Sequence, residues 1–420
     1  MKENTIATPP SQRITVIDAL RGFALLGVIL MHMLDHFGFT TANISGVSSP
    51  SAWDTIIQWF TNMMIRGKFI SIFSFLFGLS FYIQMERASK KGIDFRVRFL
   101  WRMLLLFVIG LIGTSFTYVD ILVIYAVFGT VLVFLYPLKN WLLLLLVCLL
   151  LIGVPNWFII GFDNIRFDNI IDEQPAVAFS LDAMLQPVEN STLERSSFLQ
   201  SAKENLTVKT QEKLKYQFIQ SNTGYMILAL FILGFIVGRL RFFEQVHIRK
   251  KKNIRLFLLF LLSTFLILLA IKLMPKVPSG LYRVGAEQEE VPITTLIISA
   301  LSTISTVTFS GTLATGFISL YQVAGIRRYL NLLTPYGRMG LSNYEMQNVI
   351  GSILFSAWGL GTIFGSKGAA VLFVLGLIIY SLQVVVSGQW MKNFLYGPLE
   401  WLWRSGTYLK WQPFKKKPQH

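Results

Sequence analysis

Long runs of apolar residues alternate along this chain with short polar segments that are rich in Lys and Arg. Such runs are typical of membrane-crossing α-helices, which need about 20 mostly apolar residues. The pattern therefore predicts an all-α, polytopic integral membrane protein with about ten transmembrane helices. The predicted spans are residues 16–34, 67–85, 99–118, 120–137, 141–160, 222–240, 255–273, 293–320, 338–359 and 369–388.

One apolar segment between the first two spans differs from the others. Segment 53–66 (WDTIIQWFTNMMIR) has an apolar face, but it is too short and too polar to cross a membrane. It is expected to lie at the membrane interface or to re-enter the membrane. Composition agrees with the membrane assignment, because charged residues make up only 14% of the chain, against about 25% in soluble domains.

The distribution of Lys and Arg predicts the orientation. With the N-terminus inside, basic residues fall in the predicted inner loops and in the tail at 415–417, as the positive-inside rule requires. Both termini are then inside. The net charge of +16 is explained by membrane insertion and by contact with anionic lipids. No nucleic-acid-binding motif accompanies the charge, so nucleic acid is not an expected partner.

The spans divide into three parts along the chain. Residues 1–160 form an N-terminal block of five spans, and residues 161–221 are an amphipathic segment predicted to cap the outer face. Residues 222–420 form a second block of five spans that ends in an interfacial helix and a basic tail. The outer segment is too long to be a mere connection.

The first span, within RITVIDALRGFALLGVILMHM (13–33), carries ionisable residues that membrane spans usually exclude. Arg21 near its start and His32 near its end are separated by roughly 16 Å of helix. Arg21 either pairs with Asp18 at the helix start or binds an anion such as a phosphate. His32 either donates a hydrogen bond at the helix end or transfers a proton during catalysis.

Other polar residues in or beside the spans also have two interpretations. Arg66 and Lys68 either anchor the second span at the interface or bind an anionic substrate group. Asp120 either caps the fourth span or orients a histidine. Asn343 and Glu345, within TPYGRMGLSNYEMQN (334–348), either hold helices together or contribute to a substrate site.

The sequence motifs that identify several classes of enzyme are absent from this chain. The chain has no P-loop, no GxGxxG nucleotide motif, no HExxH zinc motif and no GxSxG nucleophile elbow. Cys148 is the single cysteine and lies in an apolar run, so no disulfide or thiolate metal site is expected. A metal cofactor is not expected either.

Five segments together resemble the YeiB family of multi-spanning bacterial membrane proteins of unknown function. They are IDALRGFALLGVILMHM (17–33), KFISIFSFLFGLSF (68–81), DILVIYAVFG (120–129), GRMGLSNYEMQ (337–347) and FLYGPLEWLWRSGTY (394–408). That family is distantly similar to transmembrane acyltransferases, including sugar O-acetylases and lysosomal heparan-α-glucosaminide N-acetyltransferase. The sugar O-acetylases share an Arg and a His separated by ten residues, and Arg21 and His32 have that spacing.

The resemblance implies an acyltransferase of the bacterial cytoplasmic membrane. It would move an acyl group, typically acetyl, from cytoplasmic acyl-CoA to an acceptor at the outer face: a cell-envelope glycan, a lipid or a small molecule. His32 would be the base or acyl-relay residue, and Asp120, from its own position in the chain, is the candidate to orient that histidine. Arg21, Arg98 and Arg102 would attract the phosphates of the donor.

Two other functions remain open from the residues. In a transporter or flippase, Arg21, His32 and Glu345 would line a translocation path. In a non-catalytic membrane scaffold, these residues would be structural. The sequence leaves the oligomeric state open, and an oligomer is compatible with it.

Overall fold

The computed structural model describes residues 15–39, 51–159, 197–245, 250–275 and 293–416. These residues form helices and their connections, with one isolated antiparallel bridge between Phe394 and Lys415. The predicted all-α class is confirmed for this part of the chain. The longer helices, numbered in chain order, are α1 (Thr15–Leu34), α2 (Ala52–Met64), α3 (Lys68–Ser89), α4 (Arg96–Phe116), α5 (Leu122–Leu135), α6 (Asn140–Ile152), α7 (Phe198–Leu206), α8 (Val208–Lys215), α9 (Thr223–Arg239), α10 (Lys250–Leu273), α11 (Ile293–Tyr321), α12 (Ala324–Leu330), α13 (Leu333–Arg338), α14 (Gly340–Phe355), α15 (Gly361–Phe364), α16 (Ala369–Asn393) and α17 (Pro398–Tyr408).

Within the described residues, six helical segments are long and apolar enough to cross a membrane. A seventh is obtained if the segment Phe198–Gln220 and α9, which meet at an angle of 75°, are taken as one broken span. The count of ten spans stays a prediction. The expected spans at 120–137 and 141–160 correspond to α5 and α6, which have only 14 and 13 residues. The expected span at 338–359 contains α14, a helix of 16 residues.

Helix α2 is the segment that the sequence assigns to the membrane interface. Ser51 and Asp54 form a capping box at its start, with reciprocal side-chain to backbone hydrogen bonds. Trp53 and Trp59 are exposed, and Thr61 is its buried residue. Gly67, which has a φ of 78°, separates α2 from α3. This local geometry fits an interfacial helix leading into a span.

Helix α1 lies at the centre of the bundle and is largely buried. It packs against α3 on one side and against α13, α14 and α16 on the other. Glycines allow the backbones of α1 and α13 to approach each other closely. A Cβ on Gly337 would contact the carbonyl oxygen of Asp18 and lie 2.7 Å from the Gly22 nitrogen. The N-terminal and C-terminal halves of the chain therefore share one core around α1.

Part of the predicted outer cap lies outside the described residues, and α7 and α8 are its described helices. Asn205 on α7 donates hydrogen bonds to the carbonyl oxygens of Ser115 (3.3 Å) and Phe116 (3.2 Å) at the end of α4. Lys213 on α8 donates to the carbonyl oxygen of Tyr118 at 2.9 Å. The two cap helices therefore cover the α4–α5 connection.

The C-terminal helix α17 packs against α4 at the opposite end of that helix. The indole nitrogen of Trp403 donates to the carbonyl oxygen of Arg102 at 2.9 Å, and that of Trp101 donates to the carbonyl oxygen of Gly406 at 3.0 Å. These bonds fix α17 across the basic end of the bundle.

Candidate functional site: an arginine-lined cavity beside a buried carboxyl pair

A cavity of about 360 Å³ lies between α1, α3, α4, α5, α13, α14 and α17. Its volume falls within the range of roughly 300–1,000 Å³ typical of small-molecule sites. Five arginines contribute to its lining: Arg21, Arg87, Arg102, Arg338 and Arg404. We refer to it as the arginine-lined cavity.

The cavity extends from the basic end of the bundle deep into it. Helix α3 lines it from Arg87 to Phe73, a distance of about 21 Å at 1.5 Å per residue. Apolar and aromatic side chains, including Leu106, Leu122 and Tyr344, line the deep end. The site thus combines a strongly cationic mouth with an apolar interior.

Arg102 and Arg404 carry positive charge at the mouth, and both side chains are half-buried. The Arg102 guanidinium stacks 3.7 Å from the centre of the Trp403 ring, and Arg404 lies between the rings of Tyr396 and Tyr408 at 5.1 and 5.4 Å. The Nε atoms of both arginines are buried without a hydrogen-bond partner, and neither forms an ion pair with a carboxylate of the described residues. A buried donor without a partner is unfavourable, and two half-buried positive charges lie close together, so this arrangement favours an anionic ligand.

Arg21 forms the pair with Asp18 that the sequence suggested, and anion binding by Arg21 stays a prediction. It forms an ion pair with Asp18 at 3.0 Å, and it donates a hydrogen bond to the Ser80 hydroxyl, also at 3.0 Å. It also lines the cavity. The ion pair with Asp18 holds the guanidinium in place beside the space that a ligand would fill.

Glu400 fixes the wall formed by α17. Its carboxylate accepts hydrogen bonds from the backbone nitrogens of Leu341 (2.7 Å) and Ser342 (3.0 Å) and from the Ser342 hydroxyl (2.5 Å). Burial raises the pKa of Glu400 above its ordinary value. Because these donors lie at the start of α14, the carboxylate caps that helix.

A cluster of buried polar groups lies next to the deep end. Asp120 accepts a hydrogen bond from the backbone nitrogen of Leu122 at 2.8 Å, although Ile121, and not Asp120, is the N-cap residue of α5. Its other oxygen accepts from the Asn348 amide at 2.8 Å, and the same amide lies 3.4 Å from a Glu345 oxygen. Asp120 and Glu345 are themselves within hydrogen-bonding reach of each other. We call these two residues the carboxyl pair.

Tyr344 connects the cavity with the carboxyl pair. Its hydroxyl accepts a hydrogen bond from the backbone nitrogen of Ile121 at 3.0 Å, directly after Asp120. Tyr344 itself lines the cavity, as does Leu122. The deep end of the cavity therefore lies against the backbone that carries Asp120 and Glu345.

Lys213 of the cap covers the carboxyl pair from the other side. Its ammonium donates to the backbone carbonyl oxygens of Tyr118 and Asp120. Burial lowers the pKa of Lys213 to about 8, although the negative charge of Asp120 acts in the opposite direction. Sequence reasoning missed Lys213, and nothing in its local sequence distinguishes it from the other lysines of the cap. It also missed Asn348, which the spacing of three residues from Glu345 places one helical turn away.

His32 lies apart from the cavity and is not among the residues that line it. The imidazole is 5% exposed and lies 5.3 Å from the ring of Phe37, beyond the end of α1. The charges that act on it belong to Asp35, Arg66 and Lys213. Lys213 also acts on Asp120, so His32 and Asp120 are both within electrostatic range of the same cap residue.

The remaining predicted site residues make other contacts. Arg66 forms two hydrogen bonds with Asp35, at 2.9 and 2.5 Å, and Lys68 donates to the carbonyl oxygen of Asn62 at 3.1 Å. Asn343 donates to the Tyr336 carbonyl oxygen and to the Ser387 hydroxyl. Arg98 lies over the Tyr408 ring at 5.3 Å and is not part of the cavity lining. The structure thus brings Arg21 together with Arg102, and Asp120 together with Glu345.

Two family profiles match different parts of the chain. Residues 13–180 match the catalytic region of heparan-alpha-glucosaminide N-acetyltransferase. Residues 237–410 match the family described as protein of unknown function DUF418. The first match contains α1 to α6, and the second contains α13, α14 and α17, so the cavity is built from both matched regions.

Three relatives align over nearly the full length of the chain. An uncharacterized 39.9 kDa protein from Bacillus acidopullulyticus is 28% identical over 97% of both chains. The uncharacterized protein YxaH of Bacillus subtilis is 27% identical over 98% of both. The uncharacterized protein YeiB of Escherichia coli is 26% identical over 94% of this chain and 96% of its own. The resemblance to the YeiB family noted from the sequence is confirmed.

Proposed function

The chain is a relative of the YeiB proteins with an N-terminal half similar to an N-acetyltransferase catalytic region, and on that premise we propose that it is a membrane-bound acyltransferase. The donor is an acyl-CoA, with acetyl-CoA the simplest candidate. The acceptor is a hydroxyl or amine at the outer face of the bacterial cytoplasmic membrane, carried by a cell-envelope glycan, a lipid or a small molecule.

The arginine-lined cavity is the observation that carries this proposal. Acyl-CoA has several phosphates at one end and an extended pantetheine arm at the other. Guanidinium groups bind phosphate oxygens through paired, charge-assisted hydrogen bonds. Arg21, Arg102 and Arg404 offer such groups near the basic end, and the cavity, which α3 lines over about 21 Å, accommodates the arm in its apolar part.

In this arrangement the thioester lies at the deep end, beside Leu122 and Tyr344. The acceptor approaches from the opposite side, under the cap that carries Lys213. His32, which is within electrostatic range of Lys213, takes the proton from the acceptor nucleophile, the role that the sequence resemblance assigns to it. The protein contributes mainly by holding the two reactants in line across the membrane.

Binding and turnover of acetyl-CoA by the purified protein in lipid nanodiscs test the proposal. We expect saturable binding of acetyl-CoA and of CoA, and slow release of the free thiol from acetyl-CoA when no acceptor is present. The His32→Ala variant is expected to bind the donor and to lose thiol release.

A different outcome favours the transporter function considered from the sequence. If acetyl-CoA neither binds nor reacts, and proteoliposomes containing the protein instead show protein-dependent flux of a labelled solute, the acyltransferase proposal is wrong. If neither activity depends on Arg21 or His32, the scaffold function is favoured.

A further inference from the structure

The carboxyl pair, Asp120 and Glu345, is not used by the reaction described so far. The two residues come from the α4–α5 connection and from α14, and their exposed fractions are 0% and 8%. They share the Asn348 amide and lie within hydrogen-bonding reach of each other. Two buried carboxyl groups this close cannot both be ionised, so one proton is retained between them.

Unpartnered acceptors provide a second, independent observation. Glu345 Oε1 and Asn348 Oδ1 are buried and have no hydrogen-bond partner. A buried acceptor without a donor is unfavourable by about 1–3 kcal/mol. A proton on the pair, or a donor group of a ligand, would satisfy the carboxyl oxygen.

The charged and titratable groups around the pair do not remove the need for that proton. Lys213 is the cation that acts on Asp120, but its ammonium donates to backbone carbonyl oxygens. Tyr344 acts on both carboxyl groups, and its hydroxyl accepts a backbone hydrogen bond. Gly113 packs against Glu345, because a Cβ at this position would lie 2.5 Å from a carboxyl oxygen. The site is therefore tightly packed.

We infer that Asp120 and Glu345 hold one proton between them and donate it to the thiolate of CoA as the thioester breaks. This inference rests on the proposed acyltransferase function. Tyr344 and Leu122, which flank the pair, line the deep end of the cavity where the thioester sulfur would lie.

His32 and the carboxyl pair together account for every proton that moves during the acyl transfer. The acceptor oxygen or nitrogen attacks the thioester carbonyl carbon while His32 takes the acceptor's proton. The carbon–sulfur bond then breaks, and the carboxyl pair protonates the departing thiolate. The cycle closes when the imidazolium of His32 returns a proton to the pair.

Infrared spectroscopy of the purified protein tests the shared proton without requiring activity. We expect a carboxylic acid carbonyl band at neutral pH that disappears in Glu345→Gln and shifts in Asp120→Asn. Asp94→Asn is the matched control, because Asp94 is exposed and lies beside Arg96. A neutral-pH spectrum that Glu345→Gln leaves unchanged would overturn the inference.

The catalytic role of the carboxyl pair is tested by measuring thiol release from acetyl-CoA by the protein in nanodiscs. Glu345→Gln is expected to bind acetyl-CoA like the wild type and to release thiol at least about tenfold more slowly. Because the pair must be protonated to act as an acid, wild-type activity falls at high pH, and Glu345→Gln lacks this fall. Should Asp120→Asn fail to fold because the hydrogen bond from the Leu122 nitrogen is weakened, Glu345→Gln alone carries the test.

The two proposals fail in different ways. Absence of acetyl-CoA binding by the wild type contradicts the acyltransferase function, whatever the infrared result. Normal binding and an unchanged rate and pH profile in Glu345→Gln contradict the role of the carboxyl pair alone.

Discussion

The guanidinium of Arg102 lies 3.7 Å from the centre of the Trp403 ring, so that a cation of α4 stacks on an aromatic face of α17. Stacking orients a guanidinium without neutralising it. The charge of Arg102 therefore stays available to an anion in the cavity.

We expect Arg102→Ala to weaken CoA binding by about 10- to 100-fold, because a charge-assisted hydrogen bond contributes about 1.5–3 kcal/mol. Calorimetric titration of CoA into the protein in nanodiscs measures this loss. Arg98→Ala is the matched control, because Arg98 precedes Arg102 by one helical turn but does not line the cavity. Equal losses for both variants would mean that general surface charge, and not the cavity, attracts the ligand.

His32→Ala is expected to separate binding from transfer. His32 is not among the residues that line the cavity, so CoA affinity should stay within about twofold of the wild type. Loss of a general base lowers rates by about 100-fold or more. His36→Ala serves as the comparison, since His36 packs against Phe355 beyond the end of α1. Thiol release unaffected by His32→Ala would remove the proposed role of this imidazole.

Gly337→Ala should destabilise the contact between α1 and α13. A Cβ there would meet the Asp18 carbonyl oxygen and the Gly22 nitrogen, both of which are backbone atoms. Overpacking of this kind costs about 1–3 kcal/mol, so the thermal unfolding midpoint in detergent should fall. Gly388→Ala provides the control, because a Cβ at Gly388 meets no atom within 4 Å. A fall of the same size in both variants would contradict this explanation.

The buried position of Lys213 predicts that the stability of the folded protein depends on pH. Burial lowers the pKa of Lys213 to about 8 in the folded protein, whereas an unfolded lysine keeps its proton up to about 10.4. Between these pH values the unfolded state binds more protons, so the free energy of unfolding rises with pH. The unfolding midpoint of the wild type, minus that of Lys213→Met, should increase from pH 8 to pH 10. A difference that stays constant would show that this lysine does not titrate in that range.

Local features of the sequence were sufficient to predict several contacts. The spacing of three residues between Asp18 and Arg21 predicted a possible pair, and the ion pair is present. The position of Asp120 before an apolar run predicted a helix start nearby, and its carboxylate accepts from the first helical nitrogen, that of Leu122, although Ile121 is the N-cap residue. Both contacts are made between residues close in the chain, where local backbone geometry determines the distance.

Long-range packing accounts for what the sequence left open. Arg404 joins Arg21 in one cavity because α17 folds back onto α4, and no periodicity in either segment encodes that contact. Hydropathy also records how apolar a segment is, but not where its helix ends. The apolar stretch at 120–137 therefore suggested a full span, although α5 ends at Leu135, shortly before Pro137.

The wall that α17 contributes has a consequence for biosynthesis. Arg21 is translated long before Trp403 and Arg404, because synthesis runs from the N-terminus towards the C-terminus. The cavity wall is consequently completed only after α17 has been made. A nascent chain halted before residue 398 would lack Glu400, Trp403 and Arg404, and its cavity would stay open at the basic end.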